Sequence, residues 1–187
     1  EVRVYNWGVY SYVSGQELSL RSREVADFDP DLVIVYDGAN DVVEPWVYEP
    51  RPGYPYKFFV YEEGLRRVGE RARLRSLVAS ILWKSRALRA AYRPALEAET
   101  VNLHGLRATA GYRTPAWEDR IVETYLHHVE RMAVAARAFR FRLLVALQPM
   151  ALFKESREPS ERYHLGEPDF RDHVFRTYAR LGAGLAR

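Results

Sequence analysis

Apolar positions change their period several times along the chain, and each change predicts an element. Residues 2–9 alternate around Val2 and Val4 and read as a strand ending near Asn6-Trp7-Gly8. Leu32-Val33-Ile34-Val35-Tyr36 is an unbroken apolar run rich in β-branched residues between Pro30-Asp31 and Asp37-Gly38, the pattern of a strand buried on both faces of a parallel sheet. Between the two, Leu18, Val25 and neighbouring Ala26 fall on the inner side of a helix from about Gly15 to Phe28. Ser14 is expected to cap it, with Glu17 as capping-box partner, and Asp29-Pro30 to stop it. Strand, helix and strand in sequence form a βαβ unit, hence a right-handed crossover and a parallel pair.

Residues 42–61 break the pattern. Pro45, Pro50, Pro52 and Pro55 argue against regular structure, while Trp46, Tyr48, Tyr54, Tyr56, Phe58, Phe59 and Tyr61 are too many aromatics for a solvated linker. Two readings stay open: a wall or lid over a cleft, or a loop packed on the edge of the sheet. Helical spacing returns over 62–93 through Leu74, Leu77, Val78, Ile81, Leu82 and Leu88, and Pro94 ends it. Residues 95–116 read as irregular. A long helix follows over about 115–139, burying Ile121, Val122, Tyr125, Leu126, Val129, Met132, Ala133 and Ala136. Then come a strand over Arg142–Leu147 closed by Gln148-Pro149, a polar loop over 150–168, and a last helix capped by Asp169.

Length changes this picture little: 187 residues suit one domain, 1–187, with residues 42–116 as an aromatic, proline-rich and basic insertion. The first residues run straight into a strand pattern and the last lie within a helical one, so the expectation is a portion of a longer protein. A net charge of +3 and the lack of an aromatic–basic RNA signature argue against nucleic acid as a partner. Residues 62–93 hold nine basic side chains against three acidic ones. Such a helix is either a solvated face or a contact for an anionic membrane surface or acidic polymer. The absence of cysteine excludes disulfides and thiolate chemistry. No apolar run is long enough to span a bilayer, and no signal-peptide pattern occurs; neither fact assigns a compartment.

Candidate chemistry gathers at the carboxyl end of the 32–36 strand, where Asp37, Gly38, Asn40 and Asp41 follow one another. Strand ends of this kind collect ligands in open α/β sheets, although Gly and Asn are also ordinary turn residues. Gly-x-Ser-x-Gly, phosphate-loop, dinucleotide-binding and His-Glu-x-x-His signatures are all absent. Glu123, His127 and Glu130 share a helix but are better read as a mixed-charge face than as a metal site, because His127 and His128 diverge by about 100°.

Taken together, Asn6-x-Gly8 at a strand end, Ser14-x-Gln16-Glu17 at a helix start, and Pro30-Asp31-Leu-Val-Ile before Gly38-x-Asn40-Asp41 resemble the SGNH (GDSL-type) hydrolase superfamily. Leu147-Gln148-Pro149 at the end of a later strand adds to the likeness. The resemblance covers the second and third of the family's motif blocks, in order and spacing. It implies a three-layer α/β/α sandwich around a parallel, flavodoxin-like sheet, incomplete here at both ends, and a serine ester hydrolase mechanism without cofactor or metal. In that mechanism the backbone N–H of Gly8 and the side-chain amide of Asn40 are oxyanion-hole donors. Asn6, Gly38 and Asp41 support them, Asp41 by holding its loop rather than acting as a base. Trp46, Tyr48, Tyr54 and Tyr56 are candidates for shaping a pocket for a small ester or an acylated carbohydrate or lipid.

The family's Gly-Asp-Ser turn and its C-terminal Asp-x-x-His are missing. Ser11 and Ser14 read as loop or cap serines, Asp169, Asp172 and His173 lie inside a predicted helix, and Glu161-x-x-His164 follows the Gln-Pro strand too soon. The nucleophile and base are therefore expected outside this sequence. So is the central strand of the sheet, which would leave an apolar slot and an aggregation-prone chain. Two alternatives remain at this level: a non-catalytic binding module of the same fold, and a flavodoxin-like nucleotide or flavin binder using Asp37–Asp41.

Overall fold

A computed structural model describes residues 2–66, 77, 78, 81, 84, 87, 90, 103–154 and 167–186. The chain divides into two compact units, one formed by residues 1–56 with 113–187 and the other by residues 57–112.

The first unit is a mixed α/β structure around a two-stranded sheet. β1 (Leu32–Asp37) lies parallel to β2 (Arg142–Leu147), in a register that sets Leu32 opposite Arg142 and Asp37 opposite Leu147. Both strands lie where the apolar runs predict them. Helix α1 (Ser14–Arg23) precedes β1 through a short 3₁₀ turn, Val25–Phe28, so the predicted helix over 15–28 is split. Its cap is also displaced by one residue. Val13 is the flanking residue, its N–H donating to Gln16 Oε1, and Ser14 is the first helical residue with its hydroxyl engaged elsewhere.

The predicted strand over 2–7 does not form. Residues 2–9 lie outside any helix or strand, and Val2 and Val4 are 88% and 87% exposed. A strand is held by a neighbour's hydrogen bonds, and no neighbour stands beside this segment among the described residues. Tyr5 and Trp7 instead pack their rings on Phe28.

Helix α2 (Ala39–Val47) corrects the irregular reading of the proline-rich stretch. Pro45 sits in the second turn of this nine-residue helix, where it forgoes one i→i−4 hydrogen bond, and the burial of Val42, Pro45 and Trp46 offsets that loss. In the second unit, α3 (Phe58–Arg66) starts before the predicted helix at 62, and α4 (Leu103–Thr109) occupies part of the stretch read as irregular. Residues 77, 78, 81, 84, 87 and 90 are helical. Leu77, Val78 and Ile81 are exposed, whereas Leu74, Leu82 and Leu88 lie outside the described residues, as does most of the basic stretch.

Helix α5 (Pro115–Phe139) matches its predicted bounds, and its start carries a strong local signal. Thr114 accepts a hydrogen bond from the Trp117 N–H, Pro115 opens the first turn, and Arg140 closes the helix in the left-handed region. Helix α6 (Pro168–Leu185) is flanked by Glu167 with Pro168 at its start; Asp169, the predicted cap, is instead an exposed first-turn residue facing Arg113 across 4.0 Å.

The core lies where α5 meets α1, α2, α6 and β2. Val13, Val35, Val42, Trp117, Ile121, Tyr125, Met132, Val174 and Leu181 are buried there. Deep within it His173 stacks between Trp46 and Trp117, its Nδ1 against Glu118 Oε1 and its Nε2 against the Val42 carbonyl. His173 is thus a packing residue with both ring nitrogens satisfied. Only one face of the sheet shares this core: Leu32, Ile34, Tyr36 and Leu144 on the other are 43%, 59%, 57% and 52% exposed.

Candidate functional site

At its carboxyl end β1 hands over to α2 through Gly38, and backbone geometry makes that glycine necessary. Its φ is +96°, and a Cβ there would stand 2.7 Å from Leu147 Cδ2. The sharp turn places Asp37 at the strand tip, and Asn40 and Asp41 in the first turn of α2.

The segment leading into α1 and the start of α2 meet at this tip. Asn40 Nδ2 donates to the Tyr12 carbonyl at 2.8 Å. Asp41, fully buried, receives the Ser14 N–H at 3.2 Å and 3.0 Å on its two oxygens, and Ser14 Oγ lies 2.5 Å from Asp41 Oδ1. Asp41 therefore ties α1 to α2. Burial pushes its carboxyl up to about 7 against the bonds from Ser14, which favour the ionised form.

The two predicted oxyanion donors have separate partners. The Gly8 N–H donates to Asn6 Oδ1 at 2.9 Å in an exposed turn, and no hydrogen bond joins Gly8 to Asn40. The Tyr12 carbonyl that Asn40 meets lies four residues beyond Gly8 in the chain. The aromatic candidates separate: Trp46 is buried against Trp117, Phe170 and His173, so it belongs to the core rather than to a pocket wall. Tyr48, Tyr54 and Tyr56 remain partly exposed, with Tyr48 edge-on to Tyr56 and the Arg51 guanidinium 4.1 Å from the Tyr54 ring centre. Buried Glu49 fixes Arg51 through two hydrogen bonds of 2.7 Å and 3.1 Å.

Beneath the tip lies a polar cluster that sequence reasoning missed. Tyr125 O–H donates to Asp37 Oδ1 at 2.8 Å, while Asp37 Oδ2 is buried without a donor when both neighbouring carboxyls are ionised. The Glu17 carboxyl sits against Asp37, two buried carboxyls side by side. Burial and the Asp37 charge push Glu17 up to about 8; burial raises Asp37 as well. Arg21, 3.9 Å from Glu17, partly offsets the negative charge, and its own guanidinium is lowered by burial.

The second missed residue is His128 of α5, whose Nδ1 lies 2.8 Å from Ser14 Oγ. Its ring occupies a notch between two glycines. A Cβ on Gly15 would approach His128 Cε1 to 3.1 Å, and one on Gly53 to 3.3 Å. Burial lowers its imidazole pKa, helped by His127 and Arg131. In the sequence Glu17 stands where a capping-box residue would, and His128 is separated from Ser14 by more than a hundred residues, so no local pattern marks either.

Other candidates fall away. His127 faces Glu130 at 3.8 Å on an exposed helix surface, and no group of side chains suited to a metal ion occurs among the described residues. Glu161 and His164 lie outside the described residues. No helix of the described residues is long and apolar enough to cross a membrane. Compared with known protein families, with curated proteins and with solved structures, the chain finds no match.

Proposed function

We propose that this chain supplies the oxyanion-binding part of a serine ester hydrolase of the SGNH type, acting on a small carboxylic ester such as an O-acetyl group or a lipid ester. The observation that carries the reading is the Asn40–Tyr12 hydrogen bond. It joins the loop following Asn6-x-Gly8 to the carboxyl tip of a parallel strand, where an uncharged amide is suited to receive a developing negative oxygen. Asn40 Nδ2 carries two N–H groups and Tyr12 takes one, leaving the second for an oxyanion. The Gly8 N–H joins it when the exposed Asn6–Gly8 turn releases its internal bond. The nucleophile and the histidine base are assigned to residues outside these 187.

On this reading the sheet continues past β1 and a further helical layer covers the bare face of Leu32, Ile34, Tyr36 and Leu144, making the three-layer sandwich. The test is turnover of p-nitrophenyl acetate by the full-length protein and its Asn40→Ala variant. Loss of one oxyanion donor is expected to lower kcat by about 100- to 1000-fold with KM little changed. Equal turnover in the two proteins would remove the assignment.

A further inference from the structure

Three groups from three elements meet at Ser14 Oγ. Asp41 Oδ1 of α2 lies at 2.5 Å, His128 Nδ1 of α5 at 2.8 Å, and the hydroxyl itself belongs to the first turn of α1. A hydroxyl has a single proton, so it donates to one of these neighbours and accepts from the other. Asp41 is fully buried, Ser14 has no exposed surface, and the imidazole is half-buried. No hydrogen bond occupies His128 Nε2 within the described residues, and that nitrogen is not sealed in the interior.

We propose that Asp41, Ser14 and His128 form a proton relay in which the tautomer of His128 reports the protonation of a carboxyl buried behind it. With Asp41 ionised, Ser14 O–H donates to Asp41, and His128 Nδ1–H donates to Ser14. The ring is then the Nδ1–H tautomer, and Nε2 presents a free lone pair. When a proton from water reaches Nε2, the Nδ1 proton passes to Ser14 Oγ and the hydroxyl proton passes to Asp41 Oδ1. The products are a carboxylic acid, an intact hydroxyl and a neutral Nε2–H imidazole. One N–H bond forms at Nε2, one breaks at Nδ1, and no imidazolium persists. The outer nitrogen thus alternates between a base that accepts a hydroxyl or water proton and an acid that returns it.

The surroundings favour this exchange. Asp41 faces the negative charge held by Asp37 on β1, beside Glu17 of α1, and ordinary burial brings its titration to about 7. Around the imidazole, His127 and Arg131 of α5 disfavour a charged ring, as does its own burial. A Cβ on Gly15 or Gly53 would crowd Cε1, so both glycines make room for the ring beside Ser14. The relay stands independently of the hydrolase reading, since none of its three groups is an oxyanion donor.

The test is the ¹⁵N shifts of the His128 ring, read by long-range proton–nitrogen correlation in the 187-residue protein between pH 5 and 9. The relay requires the Nδ1–H form at high pH and conversion to Nε2–H across neutrality. Asp41→Asn should hold the ring as Nε2–H throughout, because the amide donates to Ser14 and turns the hydroxyl toward Nδ1. Ser14→Ala should abolish the pH-dependent tautomer exchange. A wild-type ring that is Nε2–H above its pKa and becomes an ordinary imidazolium below it would overturn the proposal, and that measurement needs no variant to fold.

Discussion

Glu17 has a sequence neighbourhood that predicts a capping role and a structural one that imposes a different task. It faces Asp37, a second carboxyl that burial also raises. Because Glu17 is raised in the folded state to about 8, the fold binds more protons than the unfolded chain once pH exceeds the ordinary carboxyl range. Its contribution to stability is therefore greatest in acid, falls as pH rises from about 4.5 and is lost by about 8. Glu17→Gln, which keeps a donor for Asp37 Oδ2 without a titrating proton, is expected to stabilise the protein at pH 8 by about 1 kcal/mol or more. Urea unfolding at pH 5 and pH 8 checks this: the variant should lose less stability between the two than the wild type does. Glu118 behaves in the opposite sense. Burial raises its carboxyl, but the hydrogen bonds from Arg176 and His173 outweigh that and leave it lowered, so its stabilisation fades in acid.

Elements with strong ends were legible and elements that depend on distant partners were not. The helix over 115–139 carries Thr114 and Pro115 at its start, and the β1 and β2 runs carry their own apolar density. The segment over 2–7 has the right alternation but lacks a neighbour, and alternation alone does not hold a strand. The proline-rich stretch misled for the reverse reason. Val42 and Trp46 find a tertiary core that overrides local propensity, and Trp46 is consumed by packing rather than offered to a substrate. In the candidate site, Asn40 and Asp41 were visible as a cluster at a strand end, whereas His128 becomes a neighbour of Ser14 only through the packing of α5 on α1. At this scale Gly38 is the joint between strand and helix. Gly38→Ala combines a positive φ with contact against Leu147 and is expected to cost about 2–4 kcal/mol, read as a lower urea midpoint with an unchanged slope.

At the scale of the whole molecule the two-stranded sheet leaves one face bare. Leu32, Ile34, Tyr36 and Leu144 form an apolar surface on two strands whose other face is packed, and such a surface associates with whatever apolar partner is available. The 187-residue chain is accordingly expected to self-associate and to bind a hydrophobic dye. Ile34→Lys with Leu144→Glu should raise the monomer fraction in analytical ultracentrifugation while leaving the thermal midpoint within a few degrees. A wild-type chain that sediments as a clean monomer with cooperative melting would contradict this.

The division into two units adds a point about modularity. β1 and β2 are partners in one ladder, yet the polypeptide leaves their unit at residue 57 and returns only at 113. Such an excursion behaves as a cassette: its length and composition are free to vary so long as both strands still find their register. Replacing 57–112 by a brief Gly/Ser bridge is expected to preserve the near-ultraviolet dichroism of the tryptophans at 46 and 117, the spectroscopic imprint of the part that stays behind.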